Sequence, residues 1–145
     1  MRRLCAIAAI ALLFTGGVAC AQDVPDLMGT WVPTDGAHII DGPSRHRESG
    51  MAEVAGSGSL QGHTSDFVFR FEGQEGRTFW GVLASGQVSE KFIGALSPDG
   101  KRFVIADQDG AFNGTVVDAD TLDFCYTHVT PTDRAVACGL LVRQK

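Results

Sequence analysis

The chain has 145 residues, 44% of them hydrophobic and 20% charged, with 17 acidic side chains against 12 basic ones and a net charge of −5. That length suits one domain with a single core. The acid excess, relieved only at Arg45-His46-Arg47, leaves no cationic stripe to offset phosphates and argues against a nucleic-acid partner.

Arg2-Arg3, the aliphatic run from Leu4 to Phe14 and the small residues ending in Ala19-Cys20-Ala21 make up the three parts of a secretory signal peptide. Cleavage is expected after Ala21, so residues 1–21 are the leader and 22–145 the mature domain. Losing Arg2 and Arg3 takes the 12 bases to 10 against 17 acids, a side-chain charge of about −7. The apolar run falls short of the about 20 residues that cross a bilayer, so no membrane span is expected after cleavage. A lipoprotein anchored through Cys20 is the weaker alternative, because Gly17 stands where such signals usually carry Leu. The expected location is periplasmic or secreted, and in that oxidising setting a cysteine pair reads as a structural disulfide.

The mature chain is a succession of short strands. Leu27 to Pro33 and Ala37 to Asp41 open it. From Gly42 to Thr64 the composition turns to Gly and Ser, with only Met51 to Ala55 as a short strand candidate. A loop about 42–64 of this length is either a lid or partner-binding loop or a mobile insertion. Ser65 to Glu72 then alternates, with Phe67, Phe69 and Phe71 on one face and Val68, Arg70 and Glu72 on the other, the period of a half-buried strand. Arg77 to Ala84, Val88 to Leu96, Arg102 to Ala106 and Ala111 to Val117 follow at barrel-like spacing, separated by turn chemistry such as Ser97-Pro98-Asp99-Gly100 and Asp109-Gly110. In Arg77 to Ala84, Phe79 and Trp80 must face opposite ways, and the pattern alone leaves open which of them points inward.

The last two runs, Thr121 to Val129 and Ala135 to Arg143, flank Thr130-Pro131-Thr132-Asp133-Arg134 and read as a hairpin that sets Cys125 opposite Cys138. A bond there would close a short loop and stabilise the fold by about 3 kcal/mol. No amphipathic helix is visible. The fold class is therefore all-β, an antiparallel up-and-down β-barrel of about eight strands, with a two-sheet sandwich as the alternative.

Leu27-Met28-Gly29-Thr30-Trp31, followed by Gly36 and Ile39, resembles the first hairpin of calycin barrels and is closest to the avidin branch. Phe92-Ile93-Gly94 and Asp99-Gly100-Lys101 are loosely similar to a later avidin strand and hairpin. The resemblance implies a structural role for Gly29 and, as in lipocalins, an Arg143 that lies across Trp31 in a cation–π contact. It covers about 25 residues and speaks to fold more than to function. Biotin capture does not carry over, because the positions that hydrogen-bond the ligand in avidins hold Pro33 and Ala37, whose side chains neither donate nor accept. The Thr-Asp pair at Thr132-Asp133 is similar to a lipocalin motif but precedes the last strand.

Motifs of chemistry are sparse. Asp107-Gln108-Asp109-Gly110 resembles the opening of a calcium loop, yet residue 118 is Asp where a Glu would complete it, and a β-turn explains the run better. His38, His46, His63 and His128 lack paired metal spacing, so no metal or cofactor is expected. No hydrolase elbow or phosphate loop occurs, so the chain reads more as a binding protein, although an enzyme whose catalytic groups assemble from distant positions stays open and unsupported.

Two functions follow as expectations. The first is a secreted or periplasmic, non-catalytic protein holding a small apolar or amphipathic ligand in the barrel, with Trp31, Trp80, Phe67 and Phe69 as the ligand-binding residues. The second is a protein-interaction module, an inhibitor or envelope-assembly component, with a solid core and a contact patch around an outward Trp80. Either could form a homo-oligomer, as avidin-like barrels commonly do.

Overall fold

A computed structural model describes residues 24–41, 67–86 and 88–145; the leader, Cys20 and the 42–64 loop lie outside the described residues. Eight strands follow in order: β1 Gly29–Asp41, β2 Val68–Glu75, β3 Thr78–Ser85, β4 Val88–Leu96, β5 Arg102–Ala106, β6 Gly110–Asp118, β7 Thr121–Val129 and β8 Arg134–Arg143. Each pairs antiparallel with the next, and β1 pairs with β8, so the sheet closes into an up-and-down barrel. Closure of the strand order removes the sandwich alternative.

The alternation legible in the sequence decides what enters the barrel. Phe69 and Phe71 on β2, Phe79 and Leu83 on β3, Phe92 and Leu96 on β4, Phe103 and Ile105 on β5, Phe112 on β6, and Leu122 and Phe124 on β7 are all buried. Glycines stand opposite several of the rings. Gly81 lies between Phe71 and Phe92, Gly94 faces Phe79, and Gly114 lies between Phe103 and Phe124. A Cβ on Gly94 would sit 2.2 Å from the Phe79 ring, and one on Gly114 would sit 2.5 Å from Phe103. Large and small residues therefore interlock across neighbouring strands, which lets rings fill a narrow barrel without strain.

The first strand differs from the sequence reading. Leu27 to Pro33 and Ala37 to Asp41, expected as two strands, form one continuous β1 whose register with β8 shifts between Thr34 and Ala37. A bulge there bends the strand without ending it, which turn-like Asp35-Gly36 had disguised.

One end of the barrel is sealed. Trp31 is wholly buried, stands edge-on to Phe71 at 6.0 Å and donates its indole N–H to the Leu27 carbonyl at 2.9 Å. The Arg143 guanidinium lies 4.3 Å from the Trp31 ring centroid. It also donates to the carbonyls of Asp26 at 2.6 Å, Met28, and Ala119 at 2.9 Å, and pairs with Asp120 at 3.2 Å. Arg143 thus ties the lead-in to β1 to the β6–β7 turn, over the indole. Gly29, at φ +117° and with Arg143 3.5 Å from where a Cβ would be, holds a conformation that favours glycine.

Cys125 and Cys138 are bonded, and their Cα atoms are 4.1 Å apart across β7 and β8. Cys125 follows inward Phe124 and precedes inward-facing Tyr126, so the bond lies on the outer wall of the barrel. Among the described residues no helix is long and apolar enough to cross a membrane.

Candidate functional site

The structure separates the four residues expected to line a ligand cavity. Trp31 belongs to the sealed end. Phe69 is buried at the centre, with ring centroids at 5.3 Å from Phe112 and 6.3 Å from both Phe92 and Phe124. Phe67 is half-buried against the same cluster. Phe71 continues the ring contacts to Phe79 at 5.4 Å and Phe92 at 5.1 Å. Trp80 is not with them: Phe79 takes the inward position, and Trp80, 46% exposed, faces out. The strand's period of two gives the interior to only one of two consecutive residues, so the choice the sequence left open falls to Phe79.

The other end of the barrel is polar. Inward alternation carries Glu90 one step beyond Phe92 on β4, and Tyr126 and His128 beyond Phe124 on β7. Glu90 is 1% exposed. The β5–β6 turn supplies Asp107 and Asp109, and the β7–β8 turn supplies Asp133. The Tyr126 hydroxyl donates to Asp109 Oδ1 at 3.2 Å, His128 Nδ1 lies 3.3 Å from the same oxygen, and His128 Nε2 contacts Asp133 Oδ1. His128 therefore bridges two neighbouring turns through two carboxylates. Burial works against its charge, but the hydrogen bonds with Asp133 and Asp109 prevail and raise its pKa above the usual imidazole value. Asp133 is lowered in turn, chiefly by His128. Burial, reinforced by Asp107 and Asp109, pushes the Tyr126 phenol well up, so it remains a donor at all ordinary pH.

Glu90, Asp107 and Asp109 bring carboxylate oxygens within 4.8 Å of one another, and they are the described residues best placed to hold a hard cation. Local bonds already occupy much of that set. Asp107 Oδ1 accepts from the Gly110 N–H at 2.6 Å and from the Asp109 N–H at 3.2 Å, which makes this run a self-capped turn. Asp109 is engaged by Tyr126 and His128. These contacts fix turns, and among the described residues the Tyr126 phenol at 3.4 Å is the one hydroxyl hydrogen-bonded to His128.

Sequence reading singled out Asp107, Asp109 and His128 one at a time and did not assemble them. The signal was present in the inward parity of Leu122, Phe124, Tyr126 and His128, and of Glu90 with Phe92. Their meeting depends on how the barrel closes, which parity within one strand does not reveal.

The outer wall of β3 to β5 is the second distinctive surface. Trp80 pairs with Ile93, Ile93 with Ala106, and Ala95 with Val104. Ile93 is 69% exposed and Val104 57%. The Trp80 indole lies across Gly73, where a Cβ would be 2.1 Å from the ring. The glycine thus seats the ring flat on the wall. Family models, curated proteins and solved structures yield no match to this chain.

Proposed function

We propose that this chain is a non-catalytic interaction module, a solid extracytoplasmic barrel that binds another protein through its outer wall. The observation that carries this reading is the division of aromatic side chains. Phenyl rings in mutual contact occupy the interior, whereas Trp80, Ile93 and Val104 stand exposed together on β3 to β5. An apolar patch that a folding domain leaves uncovered is a contact surface for a partner. The ligand-carrying alternative needs space among Phe69, Phe92, Phe112 and Phe124, which are already packed against one another. The outer-wall disulfide suits an oxidising compartment and supports secretion with cleavage after Ala21. The Arg143 contact over Trp31 supports a calycin-like ancestry, and fold kinship of that kind does not select a ligand.

Native mass spectrometry of the protein secreted by its own cell tests the reading. The expected result is a bare subunit or a complex with another polypeptide. Excess mass of small-molecule size, retained natively and lost on denaturation, would replace the interaction module with a carrier. The denatured mass also reads cleavage after Ala21, lipid on Cys20 and the Cys125–Cys138 bond.

A further inference from the structure

Charge is distributed unevenly around the barrel, and the uneven part coincides with the apolar wall. The chain as a whole is acidic, with 17 acids against 12 bases. Yet the outward side chains of β3, β4 and β5 include no acid. They are Thr78, Trp80, Val82 and Ala84, then Ser89, Lys91, Ile93 and Ala95, then Arg102, Val104 and Ala106. Arg70 on β2 extends the basic side, because Arg70 pairs with Val82 and Val82 with Lys91. Arg102 lies two residues from Val104 on the same face. Arg70 and Lys91 are exposed and make no ion pair among the described residues. The acids of this half are Glu72 and Glu75 on β2, Asp99 in the β4–β5 turn and the inward Glu90. From residue 107 onward the balance reverses, with Asp107, Asp109, Asp118, Asp120, Asp123 and Asp133 against Arg134, Arg143 and Lys145.

We propose that the partner of this wall is an acidic protein segment with an apolar anchor, which seats on Trp80, Ile93 and Val104 while its carboxylates meet Arg70, Lys91 and Arg102. This rests on the interaction-module reading and adds the partner's chemistry to it. Aromatic and aliphatic contact supplies the anchor, and the basic rim steers approach and rejects basic competitors. A protein fits better than a lipid surface, because the indole lies flat over Gly73 on a strand wall and does not project from a loop as an inserting side chain would.

Selection of random peptides displayed on phage, against the immobilised, disulfide-bonded barrel, tests the proposal. The expected binders are rich in Asp and Glu around an aromatic or aliphatic anchor. A synthetic peptide from that set should lose about 30-fold or more in affinity on Trp80→Ala. It should lose about tenfold on the double reversal Lys91→Glu/Arg102→Glu, with weaker binding at high salt. Ile93→Asp, at a strongly exposed position, provides a second wall variant should Trp80→Ala unfold the barrel. Binders without acidic excess, or indifferent to charge reversal yet dependent on Trp80, would overturn the acidic partner and leave the interaction module standing. Binders indifferent to both wall variants, or no binders at all, would overturn both. Trp80-dependent partition onto phosphatidylglycerol vesicles, or self-association abolished by Trp80→Ala, would reassign the wall to lipid or to a second copy and overturn the proposal.

Discussion

Replacing Trp31 by Ala measures how much of the barrel's stability resides in its sealed end. A tryptophan buries about 150–250 Å² of side chain, which at about 25 cal/mol per Å² amounts to about 4–6 kcal/mol as an upper bound. Trp31 is wholly buried, so no fraction need be deducted for exposure. Substitutions of Phe or Trp by Ala in cores cost about 3–5 kcal/mol once the surroundings relax. The loss should lie towards the top of that range, because the Leu27 carbonyl forfeits its donor and Arg143 forfeits the ring beneath its guanidinium. Set against a total of about 5–15 kcal/mol for a domain, the variant approaches the threshold of folding. Urea unfolding of the disulfide-intact protein, followed by far-ultraviolet circular dichroism, is the assay. With a slope of about 1–3 kcal/mol per molar, the midpoint should fall by roughly 2 M. A loss below about 1 kcal/mol would refute the reasoning, since it would mean that Trp31, Leu27 and Arg143 do not act as a seal.

The two remaining predictions concern β7 and β8. Cys125→Ser paired with Cys138→Ser should lower stability by up to about 3 kcal/mol with the circular dichroism spectrum intact, because the bond limits the unfolded chain and sits outside the core; a loss of peptide binding at unchanged melting temperature would show the cysteines to be functional instead. His128 has a raised folded pKa, so its stabilising contribution is complete below the imidazole's unfolded value of about 6.5 and is lost as pH rises through the folded one. Asp133 is lowered, so its share is present above the ordinary carboxylate range and disappears as pH falls through its depressed value. The bridge should therefore stabilise most in mildly acid solution, and His128→Gln should flatten the alkaline limb of the stability profile; an NMR titration of His128 with a midpoint at or below 6.5 would contradict the bridge.

Strand parity was the strongest signal in the sequence, and on β2 it located the interior face. Phe69 and Phe71 were set on one face by period two alone, and the hairpin that joins Cys125 to Cys138 followed from turn residues flanked by β-branched runs. Arg143 over Trp31 came from a resemblance, since no local pattern links residues at opposite ends of the chain. The polar end escaped detection for the same reason. Glu90, Asp109, His128 and Asp133 belong to two strands and two turns, and only closure of the barrel brings them together. Parity also left Phe79 and Trp80 undecided, because both are large and aromatic; Gly73 on one side and Gly94 on the other determine which ring fits where, and those partners lie on other strands.

The interlocking of rings with glycines has a consequence for the boundary between carriers and non-carriers. Where Phe103 rests against Gly114 and Phe79 against Gly94, the backbone has already made room, and a ring merely occupies it. Trimming such a ring to Ala would leave a void walled by Leu96, Phe124 and their neighbours, of the apolar kind that stays dry and admits small aromatic guests. No strand would need to move. On this scaffold a plugged barrel and a hollow one differ by one or two side chains, so a lineage could gain or lose a guest molecule while keeping every strand, turn and disulfide in place.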